Sequence, residues 1–147
     1  MGLFDKVLGK ESGAIKLSQA EAFAAVAVAT ITSDGNINQE EVRRAVTNLS
    51  TIQLFRKYDL RDLSNILNKM VSLIGHRGPA PVMEAVRDTL SKEHLETAFF
   101  VAADLSLADG IVEAEEKKFL EDLQHTLQID EATALKIVDV VLIKNRT

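Results

Sequence analysis

Two stretches of the chain place carboxylates at the same spacing. They are Ser33-Asp34-Gly35-Asn36-Ile37-Asn38-Gln39-Glu40-Glu41 and Ala108-Asp109-Gly110-Ile111-Val112-Glu113-Ala114-Glu115-Glu116, 75 positions apart. Carboxylates are hard oxygen donors, so the chemistry they suit is coordination of Ca²⁺, Mg²⁺ or Mn²⁺ rather than of a soft metal. The second half of a calcium-binding EF-hand loop has this order: Asp then Gly, an apolar residue two positions on, and a closing Glu. Asp34, Gly35, Ile37 and Glu41 satisfy it, as do Asp109, Gly110, Val112 and Glu116. The first half is missing. Its ligand positions fall on Thr30 and Thr32 in one copy and on Leu105 and Leu107 in the other. Leucine side chains supply no oxygen, so neither copy is a complete calcium loop.

A purely structural account uses the same residues. Glycine takes the left-handed turn without strain, and aspartate bonds its own backbone there. Acids in the first turn of a helix offset the positive end of its dipole, and Ile37 and Val112 would act as staples packing under the turn. That account leaves over the second glutamate of each pair. If the turns meet, Asp34, Glu41, Asp109 and Glu116 converge into one site, with Glu40, Glu115 and Asp104 close by. Asp104 interrupts an otherwise apolar helical face, so it belongs either to that site or to a neighbouring helix end. Gathered carboxylates repel unless a cation, a basic side chain or protonation relieves them.

Helices must position these turns. Few prolines and almost no alternating segments predict an all-α chain. Ser18 with Glu21 makes a capping box that opens a helix to about Thr32, stopped by the Asp34-Gly35 turn. Asn38 with Glu41 opens the next, to about Leu49, and a short turn through Ile52, Leu54 and Phe55 comes after it. Asp59 caps a helix whose Leu60, Leu63, Ile66, Leu67, Met70, Val71 and Ile74 form a buried stripe. Gly75 is expected to end it, with His76-Arg77-Gly78-Pro79 as a loop and Pro81 in the first turn of a helix to about Leu90. Ser91 caps a helix to about Leu107. Another starts near Ala114, and Asp130 caps the last, which carries Leu135, Val138, Val141 and Leu142. The expectation is a single compact bundle of seven to eight helices over residues 1–147. Two pseudo-symmetric helix–turn–helix units lie at its ends, around the Asp59–Leu90 region.

Composition narrows the function. The 147 residues are 46% apolar and 27% charged, which suits a folded domain. No apolar run approaches the roughly 20 residues of a membrane span. Residues 1–16 read as a mobile or docking segment, whose Leu3, Phe4, Val7 and Leu8 would lie on the bundle itself, or touch a membrane or partner. With no signal-peptide pattern, a cytoplasmic protein is expected, at most peripheral to the inner face of the membrane. The lack of cysteine removes disulfides, thiolate zinc sites and cysteine nucleophiles. A net charge of −5 argues against nucleic acid and for cations or basic partners. Catalytic signatures are sparse. A di-iron bundle needs two Glu-x-x-His motifs, whereas Asp122 and His125 give a single approximation. No phosphate loop or Gly-x-Ser-x-Gly elbow occurs. A carboxylate-based hydrolase lacks an evident base and ranks last.

The Phe4-Asp5-Lys6-Val7 opening, the helix and turn through Ala25–Gly35, the central amphipathic helix and the Ala108-Asp109-Gly110…Glu115-Glu116 repeat resemble the TerB family, named for tellurite resistance. The resemblance covers most of the chain. It implies an all-helical, non-catalytic domain without an organic cofactor, and an acidic surface that binds a divalent cation. By position, the matching acids are Asp34, Glu40, Glu41, Asp109, Glu115 and Glu116, with Asp104 as a further candidate. It also implies a protein partner in stress-response or membrane-linked complexes, with the oligomeric state left open. The alternative is an interaction module in which the acids are helix caps.

Overall fold

The computed structural model describes residues 13–146. The first helix, α1 (Gln19–Ile31), starts where the Ser18 hydroxyl and the Glu21 carboxylate accept from each other's backbone N–H. All of its residues except Gln19 and Glu21 are buried, and Ala24, Ala25, Ala27, Val26 and Val28 are wholly inaccessible. A helix apolar on every side is stable only inside a fold. Its alanines bring the neighbours close: α2 (Gln39–Ser50), α3 (Leu60–Arg77), α4 (Pro79–Thr89) and α5 (Lys92–Ser106) all pack on α1. Outside this ring, α6 (Ala114–Thr126) packs on α4 and α5, and α7 (Glu131–Lys144) packs on α5. A 3₁₀ turn, Gln53–Phe55, buries Phe55 edge-on to Phe23 of α1, with ring centroids 6.4 Å apart. The described residues thus form seven α-helices and no strand.

Two local expectations are corrected. Gly75 does not end α3, which continues through His76 and Arg77. A lone glycine inside a helix costs only about 1 kcal/mol, which a well-packed stripe outweighs. The stop comes from Pro79, whose ring disfavours helical backbone in the residue before it. Gly78 takes that position at φ 83° and is the whole link between α3 and α4. The apolar stripes are also narrower than their spacing implies, since Leu60 and Leu135 are 69% and 65% exposed.

Ahead of α1, the Gly13 carbonyl accepts from Arg77 Nη2 at 2.8 Å, and Ile15 and Leu17 pack partly buried on the core. The amphipathic set Leu3, Phe4, Val7 and Leu8 lies outside the described residues.

Because α1 is enclosed on every side, adding volume there has no escape. Ala27→Leu is expected to cost about 1–3 kcal/mol or more, read as a lowered urea midpoint at unchanged slope. An unchanged midpoint would mean that α1 is not the packed axis.

Candidate functional site

The packing of α1 against α5 decides where the acidic turns go, since each helix leads into one of them. Gly35 and Gly110 take φ of 85° and 76°. In each turn the aspartate Oδ1 accepts from the backbone N–H two residues on, Asp34 from Asn36 and Asp109 from Ile111, both at 3.0 Å. The next helices are capped through their glutamates. Asn38 accepts from the Glu41 N–H at 2.8 Å and donates through Nδ2 to Glu41 Oε1 at 2.7 Å. In the second copy the Glu113 N–H donates to Glu116 Oε1 at 3.2 Å. Each of these four carboxylates therefore uses one oxygen to hold its own turn. The other oxygen makes no hydrogen bond among the described residues.

The two turns open on one cleft of about 300 Å³. Six carboxylates line it, those of Asp34, Glu41, Asp109, Glu113, Glu115 and Glu116, together with Arg44 and a wall that includes Thr30, Ile31 and Leu105. Of the seven acids singled out by sequence, the fold gathers five here and leaves two outside. Glu40 is on the exposed side of α2. Asp104, 12% exposed, accepts from Asn48 Nδ2 at 2.8 Å, Lys144 Nζ at 3.1 Å and Asn145 Nδ2 at 3.2 Å. It ties α5 to α2 and to the end of α7, the neighbouring-helix-end role that the sequence left open. Asn145 Nδ2 also donates to the Leu107 carbonyl, just before the second turn.

Sequence reasoning missed Glu113 and Arg44. Glu113 occupies the cap position that Asn38 holds in the first copy, so aligning the repeats was enough to find it. Arg44 lies three residues beyond Glu41 and shares its helix face. The staples are corrected as well: Ile37 and Val112 are 49% and 47% exposed. The helical position that would receive Val112 is Lys117, and the aspartate turns already fix the entry of the chain.

The EF-hand half-match ends at the helices. Thr30 lies inside α1 with its hydroxyl bonded to the Val26 carbonyl, and Leu107 is buried. Among the described residues no three acidic or histidine side chains are arranged to hold a metal ion. The donors suit a hard cation, and they have oxygens to spare, but they do not form a closed cage. Burial holds the Glu41 carboxyl above its ordinary range, helped by the Asp34 charge and opposed by Arg44 and Asn38. Burial likewise raises Glu116; the Glu113 N–H opposes this, and the Asp109 and Glu113 charges add to it. The histidines stand apart: His76, His94 and His125 are exposed and line none of this cleft.

Fold and cleft define an all-helical domain with paired acidic turns. The family model for tellurite resistance protein TerB matches residues 20–137, and the chain belongs to that family. No curated protein and no solved structure matches it.

The two glycines differ in their surroundings. A Cβ on Gly110 would lie 2.9 Å from the Asn145 carbonyl oxygen, whereas one on Gly35 meets nothing within 4 Å. Gly35→Ala is expected to cost about 1 kcal/mol from its left-handed backbone alone, and Gly110→Ala clearly more, by chemical denaturation. Equal costs would contradict the contact with α7.

A second expectation concerns pH. Glu41 and Glu116 hold their protons more tightly folded than unfolded, so from about pH 4.5, their ordinary value, stability falls as pH rises through their raised values. Glu21, held low by Lys69 and the Ser18 N–H, contributes in the opposite sense. The combined variant Glu41→Gln/Glu116→Gln keeps the local hydrogen bonds and removes the two charges. Its stability should gain, relative to the parent, as pH is raised from 4.5 to 7; parallel curves would show that neither burial nor the neighbouring charges raise these two carboxyls.

Proposed function

We propose that this TerB-family domain is non-catalytic and works through the acidic cleft, taking a divalent cation there and engaging a protein partner through the same face. One observation carries the reading: turns 75 residues apart in sequence meet on one cleft, where six carboxylates face a single arginine. Asp34, Glu41, Asp109 and Glu116 would supply the ligands through their free oxygens, with Glu113 and Glu115 adding negative potential. Glu40 and Asp104 do not line the cleft and are left out of this ligand set. A bound Ca²⁺, Mg²⁺ or Mn²⁺ would neutralise the acid charges that add to burial in raising Glu41 and Glu116. Stress response, a site of action in the cytoplasm and association with complexes beside a membrane extend the same proposal from family membership. No helix among the described residues is long and apolar enough to cross a membrane.

A second reading has a specific observation in its favour. Every turn carboxylate is already engaged as a cap or turn brace, and no closed cage stands ready among the described residues. In that case the cleft is a metal-free docking surface for a basic partner.

Titration of Ca²⁺, Mg²⁺ and Mn²⁺ separates the two. Cation binding predicts that the Gly35 and Gly110 amide resonances shift or, with paramagnetic Mn²⁺, broaden along one isotherm, because both turns serve one cleft. The melting temperature should rise with cation, as mass action requires. Glu41→Gln/Glu116→Gln should abolish both responses. Silence of both glycines up to about 1 mM, the weak end of protein calcium sites, would leave the metal-free reading.

A further inference from the structure

The outward face of α7 sets three large aliphatic side chains around a lysine and an aspartate. Ala134 and Val141 are buried beneath it, yet Leu135, Val140 and Ile143 are 65%, 55% and 53% exposed. At 3.6 residues per turn, Ala132, Lys136, Asp139 and Ile143 run down the middle of that face. Leu135 lies on one flank and Val140 on the other. The four ion pairs among the described residues join Lys69 to Glu21, Arg87 to Asp88, Lys118 to Asp122 and Lys144 to Asp104, so Lys136 and Asp139 remain without an ionic partner there. Exposed large aliphatic side chains around an unpaired cation and anion are the composition of a contact surface.

The face also has a symmetry that identifies its occupant. Ala132 and Ile143 are equidistant from the midpoint between Ile137 and Val138, and so are Lys136 and Asp139. We propose that α7 pairs antiparallel with α7 of a second copy of this chain, about a twofold axis at that midpoint. A twofold contact requires a surface complementary to itself, and this one is. Lys136 then faces the partner's Asp139 twice over, and the small Ala132 faces the bulky Ile143 of the partner subunit. On the flanks, Leu135 lies beside its symmetry mate and Val140 beside its own. Reversal of direction is what makes the charges attract, because a parallel pair in register would oppose lysine to lysine. One helix pair covers less than the about 800 Å² per partner of a standard interface, so the dimer is weak and forms at high concentration.

Sedimentation equilibrium of the full chain, from micromolar to about millimolar, should show a reversible monomer–dimer equilibrium of that weak class. Lys136→Asp and Asp139→Lys each set like charges against one another and should weaken self-association about tenfold or more. An equimolar mixture of the two variants restores both attractive pairs across a mixed dimer and should recover association. Both positions are exposed, so circular-dichroism melting should match the parent and exclude misfolding. A parent that stays monomeric throughout overturns the proposal. So do single variants that associate as the parent does, and so does a mixture that fails to recover.

Discussion

Burial of α1 on all sides is the constraint on which the rest of the structure depends. A helix of alanines and valines has little polar surface to offer water, and its small side chains let four other helices approach it together. The hydrophobic return is about 25 cal/mol per Å² removed from water, and that return is available only if every face is covered. Covering it brings α5 alongside α1. Because the acidic turns are the next residues after these two helices, the position of the cleft is a by-product of core packing. No contact between the turns themselves is required to bring them together.

What the core imposes, the cleft must tolerate. Six carboxylates against one guanidinium is an unfavourable arrangement. Burial is the main reason that Glu41 and Glu116 hold their protons more tightly, and the neighbouring acid charges add to it. Local bonding offsets part of the repulsion. Backbone N–H groups bond one oxygen each of Asp34, Asp109 and Glu116, and the Asn38 side-chain amide bonds one of Glu41. The starts of the helices also favour anions through the dipole. The same residues thus serve as caps and as a concentrated negative field. The structural and the ligand-binding accounts of the repeat therefore describe two oxygens of one carboxylate and do not exclude each other.

Much of the fold was legible because its signals are local. Ser18 with Glu21, Asn38 with Glu41, Asp59 and Ser91 announce helix starts by side-chain bonds to backbone a few residues away, and each does so in the structure. Gly75 misled because the role of a glycine depends on its downstream neighbours, and here Pro79 sets the boundary at Gly78. Whether a side chain faces inward was readable only to the resolution of a helical face. Leu135 has the right spacing for a buried position and is exposed, because no helix among the described residues covers that side of α7. The gathering of Asp34, Glu41, Asp109, Glu115 and Glu116 was implicit in the repeat once α1 and α5 lie together. The fate of Asp104 was not, since Asn48, Lys144 and Asn145 reach it from 56, 40 and 41 residues away.

Those distant partners also make the two copies of the repeat unequal. Asn145 bonds Asp104 and the Leu107 carbonyl, and its own carbonyl oxygen lies 2.9 Å from where a Cβ on Gly110 would be. The second turn is therefore clamped between α5 and the end of α7. Around Gly35 there is no such neighbour. The first copy further differs in capping with neutral Asn38 where the second has Glu113, and in carrying Arg44 beside its glutamate. One half of the cleft is thus tied to α7 and strongly acidic, the other free of that contact and partly neutralised by Arg44.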